Sequence, residues 1–187
     1  MHDVYAAAPG PWQRLTSNVL CRVLRLLLGV MDEKTSATTA LGWYAEACPR
    51  AFMPYAEESL QVLTTMSQYW HDEARAAAFD SLQKLTLAAH GAFPPAGGEP
   101  VVLSEQTRVL SEQVLPLLIS CVEDDCSKPA VGAAAAALAQ MLKQLGRGAV
   151  GPTFLEGAAN MAQLVMQNKA VCQVGRGKWT ALCLCRN

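Results

Sequence analysis

The sequence predicts an all-α protein, an α-solenoid of stacked helical hairpins. Aromatic residues make up only 6% of the 187 residues while alanine is abundant. That balance favours closely packed helices over a strand sandwich, and nowhere does a run of alternating β-branched residues ask for a strand. Three Ala-rich segments repeat one pattern, each entered through a polar or acidic turn: DEKTSATTALGWYAEA (Asp32–Ala47), DEARAAAFDSLQKLTLAA (Asp72–Ala89) and SKPAVGAAAAALAQMLKQL (Ser127–Leu145). Aligning Leu41 with Leu82 and Leu138 also aligns Ala37, Ala78 and Ala134, then Tyr44, Leu85 and Met141, and last Cys48, Ala89 and Leu145. The first offset is about 41 residues, the length of a two-helix repeat. The second, about 56, includes the Pro/Gly stretch AFPPAGGEP (Ala92–Pro100). A repeat of this kind cannot bury its apolar face alone and must stack on neighbours.

In chain order, Met1–Pro11 is a flexible N-terminus. A helix is predicted from Trp12 to about Leu28, with Leu20, Val23, Leu24 and Leu27 on one face and Gly29 as its stop. The next, Asp32–Cys48, places Ala37, Leu41, Tyr44, Ala45 and Cys48 on one stripe, and Pro49 ends it. Met53–Tyr69 follows, tolerating Pro54 in its first turn, with Leu60, Leu63, Met66 and Trp70 facing inward. Asp72 is expected to cap a helix carrying Ala74, Ala78, Leu82, Leu85 and Ala89, which stops near Gly91. After a loop insertion at about 91–102, Ser104–Asp124 uses Leu110, Val114, Leu117, Leu118 and Cys121, with a kink predicted at Pro116. The last pair is Lys128–Leu145 and Pro152–Gln167, the second turning Phe154, Ala158, Met161 and Leu164 inward. The array therefore spans 12–173.

Several function classes find no support. A net charge of −1 gives no global argument for nucleic acid. The run VLCRVLRLLLGV (Val19–Val30) is too short to span a membrane and carries Arg22 and Arg25, so no membrane insertion is expected. The seven cysteines are odd in number and contain no CxxC, which argues against a disulfide framework. Cys183 and Cys185, with Cys172 upstream, are poorly spaced for zinc. His71 stands beside Asp72 and Glu73 without a nucleophile pattern. The GRG triplets at Gly146–Gly148 and Gly175–Gly177 do not follow strands and are turns rather than phosphate loops. No enzyme activity, cofactor or metal is expected.

HDEARAAAFDSLQKL (His71–Leu85) fits the HEAT motif, in which an acidic residue precedes an Arg and then spaced Ala and Leu. Met31–Leu82, with DEK-xxA-xxALG, AF-xPY-xEES-L and H-x-x-R-xxA in that order, resembles a middle repeat pair of the importin-β superfamily, especially the importin-4 type. Cys121–Gln173, with its acidic exit and NKAxCQ ending, resembles a later pair. The resemblance implies HEAT-like hairpins and a central slice of a nuclear transport receptor, shuttling between cytoplasm and nucleus. Implied partners are protein cargo with basic segments, the Ran GTPase and nucleoporins. No Ran-binding residue is carried over, because the family's Ran contacts lie mainly in amino-terminal repeats that are not identified in this sequence. The alternative is a HEAT scaffold subunit of another multiprotein complex.

The tail Val174–Asn187 fits neither the helical pattern nor the family. Codons for the Val and Gly after Gln173 can begin GTNGG, which resembles an intron donor. A translated intron is thus one hypothesis for the tail, and a dominant transcript encoding it would count against the idea.

Within that resemblance, Glu57, Glu58, Glu123, Asp124 and Asp125 would form acidic patches for Lys/Arg-rich cargo segments. Tyr69 and Trp70, with Tyr55, would grip aliphatic stems of basic cargo or phenylalanine-glycine repeats. The plainer roles are solvated helix ends for the charges and packing between helices for the rings.

Overall fold

The structure, a computed structural model, describes residues 11–94 and 103–167. The expectations for 1–10, for most of the 91–102 insertion and for the tail lie outside the described residues. By its contacts the chain divides into two compact units, Met1–Lys34 and Thr35–Asn187. The first is helical from Pro11 onward, and its helix α1 (Pro11–Ala47) runs on into the second unit.

The second unit holds the remaining helices: α2 (Pro49–Phe52), α3 (Ala56–Ser67), α4 (Asp72–Ala92), α5 (Glu105–Asp124), α6 (Lys128–Leu145) and α7 (Leu155–Met166). Short 3-10 turns at Met53–Tyr55, Gly146–Ala149 and Pro152–Phe154 join them. Among the described residues there is no strand. The fold is all-α and solenoid-like, with helices paired in chain order and each pair packed on the next. Helix α4 is the hub, packing against α2, α3, α5 and α6, while α5 packs in turn against α6 and α7. No helix among the described residues is long and apolar enough to cross a membrane.

The packing follows from side-chain size. Helix α6 turns Ala130, Ala134, Ala137, Leu138 and Met141 inward, and its alanines let the backbone approach α4 closely. Phe79, Leu82 and Leu85 of α4, Val114, Leu115 and Leu118 of α5 and Leu63 of α3 join the same core. Each of these large side chains contributes roughly 1.5–3 kcal/mol on burial. Ser104 and Ser127 cap α5 and α6, their hydroxyls accepting from the Thr107 and Ala130 N–H groups at 3.4 Å. Helix α6 ends at Gly146, whose φ of 67° is a left-handed backbone that glycine adopts without a Cβ penalty. On α7 the stripe Leu155, Ala159, Ala162 and Met166 is exposed.

Several expectations are corrected. Gly29 does not stop a helix, since α1 continues through it. A mid-helix glycine costs only about 1 kcal/mol, which the flanking helix formers absorb. The expected end before Pro49 holds, since α1 stops at Ala47, and Pro49 in turn opens the short helix α2. The buried face of the end of α1 is Thr38, Gly42 and Ala45, while Ala37, Tyr44 and Cys48 are exposed. That is a rotation of one residue from the apolar stripe.

The reason is the closeness of α4. A Cβ on Gly42 would lie 2.6 Å from Ser81 Oγ and 2.9 Å from Ser81 Cα. The buried Ser81 hydroxyl donates to the Thr38 carbonyl at 2.8 Å. Small residues and a backbone acceptor, rather than Tyr44, make this contact. Trp70 lies beyond α3, 69% exposed. Asp72 is the first residue of α4, with His71 at the cap in its place, while the helix ends at Ala92, near Gly91 as expected.

Candidate functional site

The turn leaving α3 and the turn leaving α5 meet at one side chain, Arg75 in the first turns of α4. Its Nε donates to Asp125 Oδ2 at 2.8 Å and its Nη2 to Asp125 Oδ1 at 3.1 Å. Its Nη1 donates to the Tyr69 and Trp70 carbonyls at 2.9 and 3.0 Å. A planar guanidinium suits this task, because its donors fan out in a fixed fork. Asp125 Oδ1 also accepts from the Ser127 N–H at 2.9 Å, and the Ser127 hydroxyl reaches Asp72 Oδ2 at 3.4 Å. The Arg75 and Asp125 side chains are only 13% and 15% exposed.

Around this node the Trp70 ring lies 5.8 Å from Tyr69 and stands edge-on to His71 at 5.5 Å. Cys121, one turn before Asp125, is buried, and its Sγ lies 3.9 Å from Asp125 Oδ2. Burial, reinforced by the Asp125 charge and opposed by Arg75, pushes its thiol up to about 12.

The node brings together three of the seven residues named from sequence: Tyr69, Trp70 and Asp125. Tyr69 is half-buried and Trp70 exposed. Asp125 is a joint between helices, with both oxygens already accepting. Glu123 and Asp124 sit exposed in the last turn of α5, and Asp124 Oδ2 accepts from Ser120 Oγ at 3.3 Å. Glu57 and Glu58 are exposed in the first turn of α3. They complement the positive end of that helix, the end opposite the one that leads into Tyr69.

Beside Glu123 and Asp124 runs a groove of about 370 Å³ between α5 and the entry to α7. Pro116, Ile119, Phe154 and Gly157 supply its apolar lining, and Ser120 and Thr153 its hydroxyls. A Cβ on Gly157 would lie 3.0 Å from Ile119 Cδ1, so glycine is what lets α7 approach α5 here. Sequence reasoning missed the groove. Phe154 was expected to turn inward and Pro116 to kink α5, but neither signal says that the two sit together. Among the described residues, no group of three or more His, Cys, Asp or Glu side chains could hold a metal ion.

No family model matches the chain. It is 26% identical over 143 residues to importin-4 of Mus musculus, a stretch that covers 76% of this chain and 13% of that relative. The chain thus spans a small part of the length of the curated relative it matches. The similarity supports a relationship at the level of importin-β-like HEAT-repeat proteins.

Proposed function

We propose that this chain is a slice of a nuclear transport receptor, one that binds protein cargo with basic segments and carries it through nuclear pores under Ran-GTP control. The observation that carries this reading is the similarity to importin-4 over three-quarters of the chain. The stacked helix pairs agree with it, because small changes at each joint of a solenoid add up to a large change in curvature. In this reading the HEAT array covers 12–173 and shuttles between cytoplasm and nucleus, with Ran and nucleoporins as further partners. Glu57, Glu58, Tyr69, Trp70, Glu123 and Asp124 are the residues offered to cargo, and Asp125 braces the joint beside them. No catalytic role is assigned to any residue.

The test is a pulldown from native lysate on the immobilised full-length transcript product, with and without Ran locked in its GTP state. Recovery of basic proteins that are lost on adding Ran-GTP is expected. A stable partner set indifferent to Ran would sink this reading and leave a static scaffold.

A further inference from the structure

We infer that the groove between α5 and α7 is a docking site for an extended protein segment that carries a lysine or arginine next to an aliphatic side chain. The inference rests on the transport-receptor reading for the class of partner, and on the groove itself for the chemistry.

The argument begins with a mismatch in α5. A helix C-terminus is the negative end of its dipole and is stabilised by cations, yet the last turn of α5 contains none. Glu123, Asp124 and Asp125 crowd there instead. Arg75 compensates Asp125. Among the described residues no ion pair compensates Glu123 or Asp124, and no Lys or Arg lines the groove they border. Like charges at the wrong end of a dipole destabilise the helix, and a cation arriving from outside relieves that repulsion.

The groove then says what accompanies the cation. Pro116, Ile119, Phe154 and Gly157 offer an apolar floor beside the two carboxylates. An aliphatic side chain would cover that floor while a neighbouring ammonium or guanidinium reaches the rim, and the hydroxyls of Ser120 and Thr153 are at hand for a peptide backbone. A volume of about 370 Å³ lies at the small end of ligand sites, enough for a short stretch of chain and not for a folded domain. Charge complementarity thus selects the partner, and the floor selects for an aliphatic neighbour over a merely basic one.

The test uses the full chain and a fluorescein-labelled peptide with a Lys-Leu-Lys core in a Gly/Ser frame, followed by fluorescence anisotropy at low salt. Glu123→Gln with Asp124→Asn removes two exposed charges and should weaken binding about tenfold, as expected for two rim charges. Thr153→Arg places a cation at the groove and should weaken binding at least as much. Replacing the peptide leucine by serine should also weaken it, and Glu105→Gln with Glu112→Gln, two exposed carboxylates of α5 outside the groove lining, should leave it unchanged. Circular dichroism melts establish that each variant is folded.

No measurable binding, no response to the Glu123/Asp124 change, or an equal response to the Glu105/Glu112 change would each overturn the inference. Repeating the Ran-GTP pulldown on the same variants separates the two readings. Ran-sensitive capture that ignores the groove variants removes the groove and keeps the receptor. Groove-dependent peptide binding without Ran-sensitive capture removes the receptor and keeps the groove.

Discussion

Arg75 and Asp125, 50 residues apart in sequence, grip each other through two hydrogen bonds, Nε to Oδ2 at 2.8 Å and Nη2 to Oδ1 at 3.1 Å. The pair ties the start of α4 to the turn after α5, and through the Tyr69 and Trp70 carbonyls it ties in the turn after α3. One guanidinium therefore sets the spacing of three chain segments beside the candidate cargo surface.

Removing one partner strands the other in a mostly buried position. Asp125→Ala is expected to cost about 2–4 kcal/mol, more than an exposed ion pair would. In urea unfolding, the Arg75→Ala/Asp125→Ala double variant should cost clearly less than the sum of the singles. Strict additivity would mean that the two side chains do not act as a pair.

Cys121 gives a signed pH dependence. Its thiol is raised from near 9 to about 12 in the folded chain, chiefly by burial. Above pH 9 the unfolded chain therefore loses this proton while the folded chain keeps it. The contribution is present in full below pH 9 and declines as pH rises toward 12, by roughly 2–4 kcal/mol in all. Unfolding of wild type and Cys121→Ala compared from pH 8 to pH 11 should show a steeper alkaline fall in the wild type. At pH 8, iodoacetamide should modify exposed Cys48 readily and Cys121 only after unfolding. Equal rates at the two thiols would contradict the burial.

Two glycines of α1 should respond oppositely to alanine. At Gly29 an added Cβ meets nothing within 4 Å, so Gly29→Ala should gain about 0.5–1 kcal/mol from helix propensity. At Gly42 the same methyl falls 2.9 Å from the Ser81 Cα, a backbone atom that cannot swing aside. Overpacking of about 1–3 kcal/mol should outweigh the gain there. Chemical denaturation midpoints moving the same way in both variants would refute the close approach.

Pro116 lies inside α5 and is exposed. It leaves one turn of the helix without its backbone hydrogen bond, so Pro116→Ala should raise stability by about 1–3 kcal/mol in a thermal melt. A lower melting temperature would show instead that Pro116 itself is needed to seat α7.

Much of the helical layout is legible in the sequence because it rests on local rules. Ser104 and Ser127 stand where caps belong, and Leu60, Leu63 and Met66 of α3, like Ala74, Ala78, Leu82, Leu85 and Ala89 of α4, are buried at their predicted spacing. The errors fall where a local signal met a tertiary one. Tyr44 belongs to the apolar stripe by hydropathy, yet it is 64% exposed because Gly42 permits a closer contact than any ring would. Helix α4 shows one stripe in sequence and is buried on several faces, Ser81 and Thr86 included, since α2, α3, α5 and α6 all pack on it.

The candidate site divides in the same way. Acidic residues at the end of α5 and aromatic residues after α3 can be named from the sequence, where charge and ring are visible. That Asp125 is already held by Arg75 while Glu123 and Asp124 border a groove depends on residues distant along the chain.

By itself, the sequence determined that the chain forms helices, roughly where they begin and end, and that they must stack to bury their alanine-rich faces, because propensity, capping and periodicity act within a few residues. Only the tertiary structure decided which face of α1 meets α4, which carboxylate is bound at the joint, and where α5 and α7 leave a groove. Those outcomes turn on how closely two backbones approach, and that distance is set by pairs such as Gly42 with Ser81 and Gly157 with Ile119 rather than by any one segment.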